Sequence, residues 1–535
     1  MKQTSAFTLE QKLRTYAASG ALPMHMPGHK RNSAIFDMTA LQDIDITEIH
    51  GFDDLHDPAG ILQESQSAAA ALYGADRSFY LVNGSTAGIL AGISACVKPG
   101  DRLLMARNCH LSVYHAVILN ALRPDYLWPP VDPAFGIAGS MEPRRIEQAL
   151  AAAKQENDPY AAVVLTSPTY EGVLSDVRQI ARICHAYGVP LVVDEAHGAH
   201  LSVKSTDAAA GRQVNDSMET QPMGAAAEKQ DAEGACFPYS AIALGADCVI
   251  QSLHKTLPAP TQTGILHCRS GIIDTEKVKR MLDIYQTSSP SYLFLCGIEN
   301  ALRCRSAAGW DAEWLGNLKH FYVRTEDLKA LRIVPPGPGA VCFDREPSKI
   351  VISAAGTVHT GNELMTVLRE KYKIEAEMAA GSYVIAMTGA GDTKDTLERL
   401  AAALEAIDAA WSGSGKSSGS GIPEKKSGQG RTGEDQNEKN KTLVQKTTAV
   451  PRMNRSMIPA EAFHRDSEPV DLRAAEGKKS GGIVTIYPPG IPVTAPGEEI
   501  TGEIIARITA ALREGLHVTG LSAADGEPAV RIIRD

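Results

Sequence analysis

The chain has 535 residues, of which 44% are hydrophobic and 22% charged, and a formal net charge of -10. A chain of that length exceeds one ordinary core, so two or three packed units are expected. The acidic balance argues against a sequence-independent nucleic-acid binder, which needs a basic surface to replace counterions.

In chain order, residues 8–20 read as a short amphipathic helix. A Gly/Pro/His-rich stretch, MHMPGHKRN (24–32), and an acidic loop, GFDDLHDPAG (51–60), follow. From about residue 61 helices and strands alternate. ILQESQSAAAALYG, STAGILAGISACV, RRIEQALAAAKQ and RQIARICHAYG have helical character. SFYLVNG, DRLLMAR, AAVVLTSP, VPLVVDEA and DCVIQSLHK read as strands. Short β-branched runs between helices predict a mostly parallel sheet covered on both faces. Residues 203–236 are polar, Ala/Gly-rich and aperiodic, which suggests a surface insertion.

After about 313 the pattern changes. SKIVISAAG, KIEAEMA and SYVIAMTG read as strands, and GNELMTVLREKY and TLERLAAALEAIDAAW as helices, giving a small α+β unit. Residues 412–446 have almost no large apolar side chains and predict a disordered linker, since they cannot bury enough surface to offset ordering entropy. Beyond it, a strand, a Pro-rich turn and a helix are expected over GIVTIYPPGIPVTAPGEEI and TGEIIARITAALREG. The expected division is an arm over 1–60, a large unit over 61–312, a small unit over 313–411 and a C-terminal unit over 447–535.

The nine cysteines are scattered from Cys96 to Cys342 without CxxC spacing, which argues against a disulfide framework or a zinc site. The segment MKQTSAFTLEQK lacks the apolar core of a signal peptide. No run approaches the roughly 18 apolar residues that span a bilayer. Cytoplasm, with no membrane partner, is the expectation.

Four loops that each follow a strand carry candidate chemistry. NGSTAG (83–88) opens a helix, so its free N–H groups, with Ser85 and Thr86, can hold a phosphate; an ordinary helix cap would look the same. ARNCHLS (106–112) places His110 at a strand end. VPLVVDEAHGAH places Asp194 there too, as a metal ligand, a general base, the partner of a ring nitrogen or a turn cap. QSLHKT (251–256) sets Ser252, His254 and Lys255 after an apolar strand, at the sheet edge where ligands of parallel sheets bind. A lysine there can form a Schiff base with an aldehyde cofactor if its pKa is lowered.

These segments, with MPGHKRN, GFDDLHDPAG, SPTYEGVLSD, QTSSPSYLF and YPPGIPVTAPGEEI, resemble the Orn/Lys/Arg decarboxylase family of fold-type I enzymes dependent on pyridoxal 5'-phosphate (PLP). The resemblance implies an aspartate-aminotransferase-like α/β large domain with a small α+β domain, in the short form without an N-terminal wing. It further implies Lys255 as the Schiff-base lysine, Asp194 as the pyridinium partner and His110 as the ring-stacking residue. His197 would lie on the cofactor's phenolic side, and Ser85, Thr86, Ser252 and His254 would hold the phosphate. Ser288 and Ser289 would reach the phosphate of a neighbouring subunit, making a homodimer with shared sites. The implied reaction is decarboxylation of a basic L-amino acid, arginine before lysine or ornithine. Asp53, Asp54, Glu171 and Glu498 are candidates for its distal cation. An aminotransferase or lyase of the same fold, a non-catalytic scaffold, and a metal-dependent hydrolase using Asp194, His197 and His200 are the rivals.

Overall fold

The first strand of the described residues, β1 (Leu22–Met24), is short, and its partner lies 352 positions further on. The computed structural model describes residues 15–35, 44–203, 236–412, 457–487, 490–524 and 527–534. Nearly all of the expected insertion and linker fall outside those residues, as does the start of the helix expected over 8–20.

Helices and strands then alternate: α1 (Ile61–Tyr73), β2 (Arg77–Leu81), α2 (Gly84–Cys96), β3 (Arg102–Ala106), α3 (Leu111–Leu119), β4 (Arg123–Leu127), α4 (Pro143–Gln155), β5 (Tyr160–Thr166), β6 (Val173–Leu174), α5 (Val177–Ala186), β7 (Leu191–Asp194), β8 (Cys248–Gln251), α6 (Leu253–Thr256) and β9 (Gly264–Cys268). Seven of these strands form one sheet in the order β2-β9-β8-β7-β5-β3-β4. It is parallel except at β9, which runs against both its neighbours. Strands β7 and β8 are buried at every position, which is why they read as unbroken apolar runs rather than alternating ones. Helix α5 shows the complementary pattern. Val177, Ile180, Ala181 and Cys184 fall on one face at helical spacing and are buried, and the Asp176 carboxylate caps the helix by accepting from Gln179 N at 3.0 Å.

Helices α7 (Thr275–Tyr285), α8 (Tyr292–Ser306) and α9 (Ala312–Arg324) lead to a second body of β10 (Arg332–Ile333), β11 (Asp344–Arg345), β12 (Lys349–Ser353), α10 (Gly361–Tyr372), β13 (Ile374–Ala376), β14 (Met378–Ala380), β15 (Tyr383–Met387) and α11 (Lys394–Ser412). Its four-stranded antiparallel sheet has the order β10-β12-β15-β14. A capping box between Thr360 and Glu363 starts α10. Strand β1 pairs in parallel with β13, Leu22 opposite Ile374, and Leu22 and Met24 belong to the apolar core of this second body. The N-terminal segment is thus stitched into the small unit rather than lying free of it.

The last body contains α12 (Pro459–His464), β16 (Ser467–Asp471), β17 (Val484–Tyr487), β18 (Ile491–Thr494), α13 (Gly502–Arg513), β19 (His517–Thr519), β20 (Leu521–Ala524) and β21 (Glu527–Ile533). They form two three-stranded sheets, β16-β21-β20 and β18-β17-β19, over a core that includes Val484, Val493, Ile504 and Val530. The strand, turn and helix expected there are joined by β16 and by β19 to β21, whose short, mixed sequences carry little periodicity.

Candidate active site

Lys255 sits in the single helical turn α6, directly after β8 at the C-terminal edge of the parallel strands. Its Nζ lies 2.9 Å from His197 Nε2. Burial lowers its pKa to about 8, while the nearby carboxylates of Asp194 and Glu377 pull it up and the Lys349 ammonium pushes it further down. Near neutrality a useful fraction of the amine is therefore unprotonated, as a nucleophilic lysine requires.

Asp194 ends β7 next to β8 and is buried. Burial raises its pKa, against the charge of Lys255 and a bond from Ala196 N, which reaches Oδ1 at 3.1 Å. Opposite it on β5 stands Thr166, beside the buried Cys109 thiol. The neighbouring Glu195 faces the other way and ties the loop together, accepting from Ser240 Oγ (2.5 Å), Ala241 N (2.7 Å) and Gln251 Nε2 (2.6 Å).

Two histidines flank the lysine. Burial, then the charges of Lys255 and Lys349, hold His197 well below the usual imidazole range. Its ring lies 4.6 Å from that of Tyr170, and its buried Nδ1 has no protein partner. His110 is the N-cap of α3, with Nδ1 2.9 Å from Ser112 Oγ. Burial, and secondarily Lys255, lowers its pKa to about 4. Both rings are therefore neutral over the physiological range.

The phosphate-cup candidates also converge. Gly84 adopts φ +72, which turns the chain sharply into α2. Ser252 Oγ donates to Ser85 Oγ at 2.9 Å across the strand ends. Gly264 allows close approach here, because a side chain on it would meet Gln251 O at 2.8 Å and Ser85 N at 3.4 Å. Thr86 is exposed on the same first turn. The His254 ring is held by the Thr263 carbonyl at 2.9 Å from Nδ1. Ser288 and Ser289 are exposed, and their loop is anchored beside the cup by a 3.0 Å bond from Thr287 N to Asn83 Oδ1.

These residues fit PLP. Ser85 and Ser252 meet at the start of α2, and the buried Asp194 carboxylate and the Lys255 amine lie close to the neutral imidazole of His197. The field of Lys255 reaches His110, and the unpartnered buried Nδ1 of His197 offers a further polar contact. Asp194, His197 and His200 make no comparable metal set. His200 is turned to Glu346, 3.2 Å away, and packs on Phe237 and Trp314. Among the described residues no group of three or more His, Cys, Asp or Glu side chains is placed to hold a metal ion.

The four acidic candidates for a substrate cation have other engagements. Asp53 accepts backbone N–H bonds from Ala59, Gly60 and Leu62, and Asp54 one from His56. Glu171 accepts from Thr169 Oγ1 and Tyr383 OH, each at 3.0 Å. Glu498 is fully buried against Arg107, so its charge is matched within the chain. A second carboxylate acting on Lys255, after Asp194, is Glu377 between β13 and β14, where it accepts from Tyr170 OH at 2.5 Å and Met26 N at 2.9 Å. Nothing in KIEAEMA distinguished it from an ordinary strand residue. Lys349 was also missed. It is buried among Glu346 Oε1 (2.8 Å), Ser348 Oγ (2.8 Å) and the His197 carbonyl (3.2 Å), steadying the His197 backbone.

The chain matches the models for the Orn/Lys/Arg decarboxylase major domain over residues 8–226 and 234–314 and C-terminal domain over 437–521. It is 32% identical to the uncharacterized protein YaaO of Bacillus subtilis (strain 168) over 96% of this chain and 95% of that one. An arginine decarboxylase of the same strain is 28% identical over 95% of this chain and 94% of its own. Among solved structures, the Francisella novicida lysine decarboxylase LdcF superposes with a TM-score of 0.68 at 18% identity, covering 90% of this chain and 73% of that one.

Proposed function

The chain belongs to the Orn/Lys/Arg decarboxylase family, and from that premise we propose that it is a PLP-dependent decarboxylase whose substrate is L-arginine. The observation that carries the reading is the lysine of lowered pKa set beside Asp194 and His197 at the sheet edge. The choice of arginine over lysine or ornithine rests on the near-full-length likeness to an arginine decarboxylase. Incubating the purified enzyme with each of the three amino acids and identifying the amine released tests it. Agmatine as the main product is expected; no amine from any of them would sink the proposal.

When bound, PLP supplies an electron sink for the pair left behind as the carboxylate departs. In the proposed site Lys255 would hold the cofactor aldehyde until substrate displaces it. Asp194 would keep the ring nitrogen protonated, which sustains that sink. The α2 N-terminus, with Ser85, Thr86 and Ser252, would anchor the phosphate, and His254, fixed to the Thr263 carbonyl, would buttress that anchor. His110 would cover one ring face. Lys255, protonated for the most part near neutrality, would return a proton to Cα, with His197 beside it holding the amine in place. Glu377 would accept the distal cation of the substrate in addition to its bonds from Tyr170 OH and Met26 N, since it is the carboxylate besides Asp194 whose field reaches Lys255.

Assembly as a homodimer belongs to the same proposal, with Ser288 and Ser289 reaching the partner's phosphate. Ile49, Phe52, Ile61 and Ile284 are exposed and supply apolar surface for a two-fold contact. A cytoplasmic location accords with nine free cysteines. Apolar clusters centred in each span support a division into a cofactor unit over 61–312, a small unit over 313–411 and a C-terminal unit over 447–535, although Leu174, Leu201 and Phe237 of the first span pack into the second cluster.

A further inference from the structure

We propose that the C-terminal body is part of the catalytic apparatus, with Arg107, Glu498 and Gly490 as positioning residues that fix His110. The proposal rests on the reading of His110 as the residue covering the cofactor ring. Arg107 and His110 bound the four-residue turn between β3 and α3, and Arg107 is completely buried. Its guanidinium donates to the carbonyls of Pro492 (2.8 Å) and Val493 (3.2 Å) on β18 and to Glu498 Oε2 at 3.3 Å. It also donates to Tyr114 OH, which in turn donates to the Arg107 carbonyl at 2.7 Å. The rings of Tyr114, Tyr126 and Trp128 surround it at 5.3, 5.1 and 5.6 Å. Glu498 is held in turn by Ala495 N at 2.7 Å. The carboxylate matching this buried cation thus comes from the C-terminal body. Separating the two would strand a charge on each side.

The same body reaches His110 by an independent contact. Leu111 N, the first amide of α3, donates to the Gly490 carbonyl at 3.1 Å. Gly490 adopts φ +82, and a side chain there would lie 3.3 Å from His110 Cδ2 and 3.4 Å from Nε2. One edge of the imidazole is thus bounded by Gly490 while Ser112 holds Nδ1 from the other, accepting or donating at 2.9 Å with a further bond from Ser112 N at 3.2 Å. The hydrogen bond at Nδ1 and the close approach of Gly490 together set the plane of the ring.

Full-length Gly490→Ala, Glu498→Gln and Arg107→Met enzymes, each reconstituted with PLP, test the assignment. The readouts are circular dichroism in the cofactor absorption band, PLP affinity of the apoprotein, and kcat and KM for arginine. A shifted ring plane changes the dichroism and lowers kcat by roughly tenfold to a hundredfold in Gly490→Ala, with KM changed by less than about threefold. Glu498→Gln moves the same quantities in the same direction and weakens PLP binding. Arg107→Met carries the greatest risk to folding, and the other two decide the matter if it does not fold. Folded Gly490→Ala and Glu498→Gln enzymes with wild-type dichroism and kcat would overturn the proposal. An unaltered enzyme that takes up no PLP would instead overturn the reading of the site on which it rests.

Discussion

Lys255 owes its character to two opposed influences, burial lowering its pKa to about 8 and the carboxylates of Asp194 and Glu377 raising it. The sign of the resulting pH effect is definite. Below about 8 the amine is protonated and cannot attack an aldehyde, so PLP uptake by the apoprotein should slow by roughly tenfold per pH unit as pH falls, and level off above 8. Stopped-flow absorbance against pH measures this; a plateau reached only near the ordinary lysine pKa would show that the site does not tune the amine. Replacing Lys255 by Ala should abolish turnover and remove the borohydride-sensitive visible band, and a variant that keeps both would exclude this lysine. Glu377→Gln removes a charge that the substrate cation would meet. A charged hydrogen bond contributes about 1.5–3 kcal/mol, so KM for arginine should rise about tenfold or more while PLP binding holds. Unchanged KM would assign the cation to another group. The placement of Lys255, Asp194 and His110 at one edge of the sheet is legible because each ends or follows a strand, and strand ends can be read from a local apolar run. Glu377 was not, because its meaning lies in bonds to Tyr170 and Met26, 207 and 351 positions away.

At the scale of elements, the short MPGHK segment does more than a Gly/Pro-rich loop would suggest. Gly28 N donates to the His254 carbonyl at 2.8 Å, Gly391 N to the Gly28 carbonyl at 2.9 Å, and Ala390 N to the Thr256 carbonyl at 2.8 Å. Lys30 is buried, with Nζ donating to the carbonyls of His25 (2.5 Å) and Met387 (2.7 Å). Backbone from three distant parts of the chain therefore meets at the turn that carries Lys255, and glycine is needed for the approach. A side chain at Gly28 would lie 2.7 Å from the Thr256 carbonyl oxygen, and one at Gly389 would lie 2.7 Å from the Gly28 Cα. Gly28→Ala should cost about 1–3 kcal/mol of stability and displace Lys255, lowering PLP affinity beyond what the stability loss explains. Denaturant unfolding beside PLP titration separates the two; loss of stability with PLP binding intact would make the clasp purely structural. The helices and strands that build this junction follow their own periodicity and were readable one by one. Their meeting depends on glycines placed for contact rather than for local conformation. Sequence patterns do not record that distinction.

For the whole molecule, the described chain brings Lys255, Asp194, His110 and His197 together by itself, yet leaves Ser288 and Ser289 exposed beside the cup. The loop before those serines is pinned to Asn83, and His56 joins the acidic loop to α7 through Asp283 at 3.1 Å and the Thr287 carbonyl at 2.7 Å from its two ring nitrogens. Tyr292 OH donates to the Asp53 carbonyl at 2.6 Å. The acidic loop, α7 and the serine loop thus form one organised surface rather than loose connections, with Ile49, Phe52, Ile61 and Ile284 exposed across it. Ordered, partly apolar surface beside the proposed site is what the partner in the proposed dimer would cover, and a closed two-fold contact is the commonest symmetry for soluble oligomers. If the serines serve the partner's phosphate, Lys255→Ala and a Ser288→Ala/Ser289→Ala double variant should each be inactive or strongly impaired as homodimers. A mixed dimer of the two then has one site with both halves intact, so it should recover about half the wild-type activity per dimer. Coexpression with two affinity tags isolates that species. Inactive parents with no recovery in a verified mixed dimer would mean that each chain completes its own site. The exposed serines would then need another role.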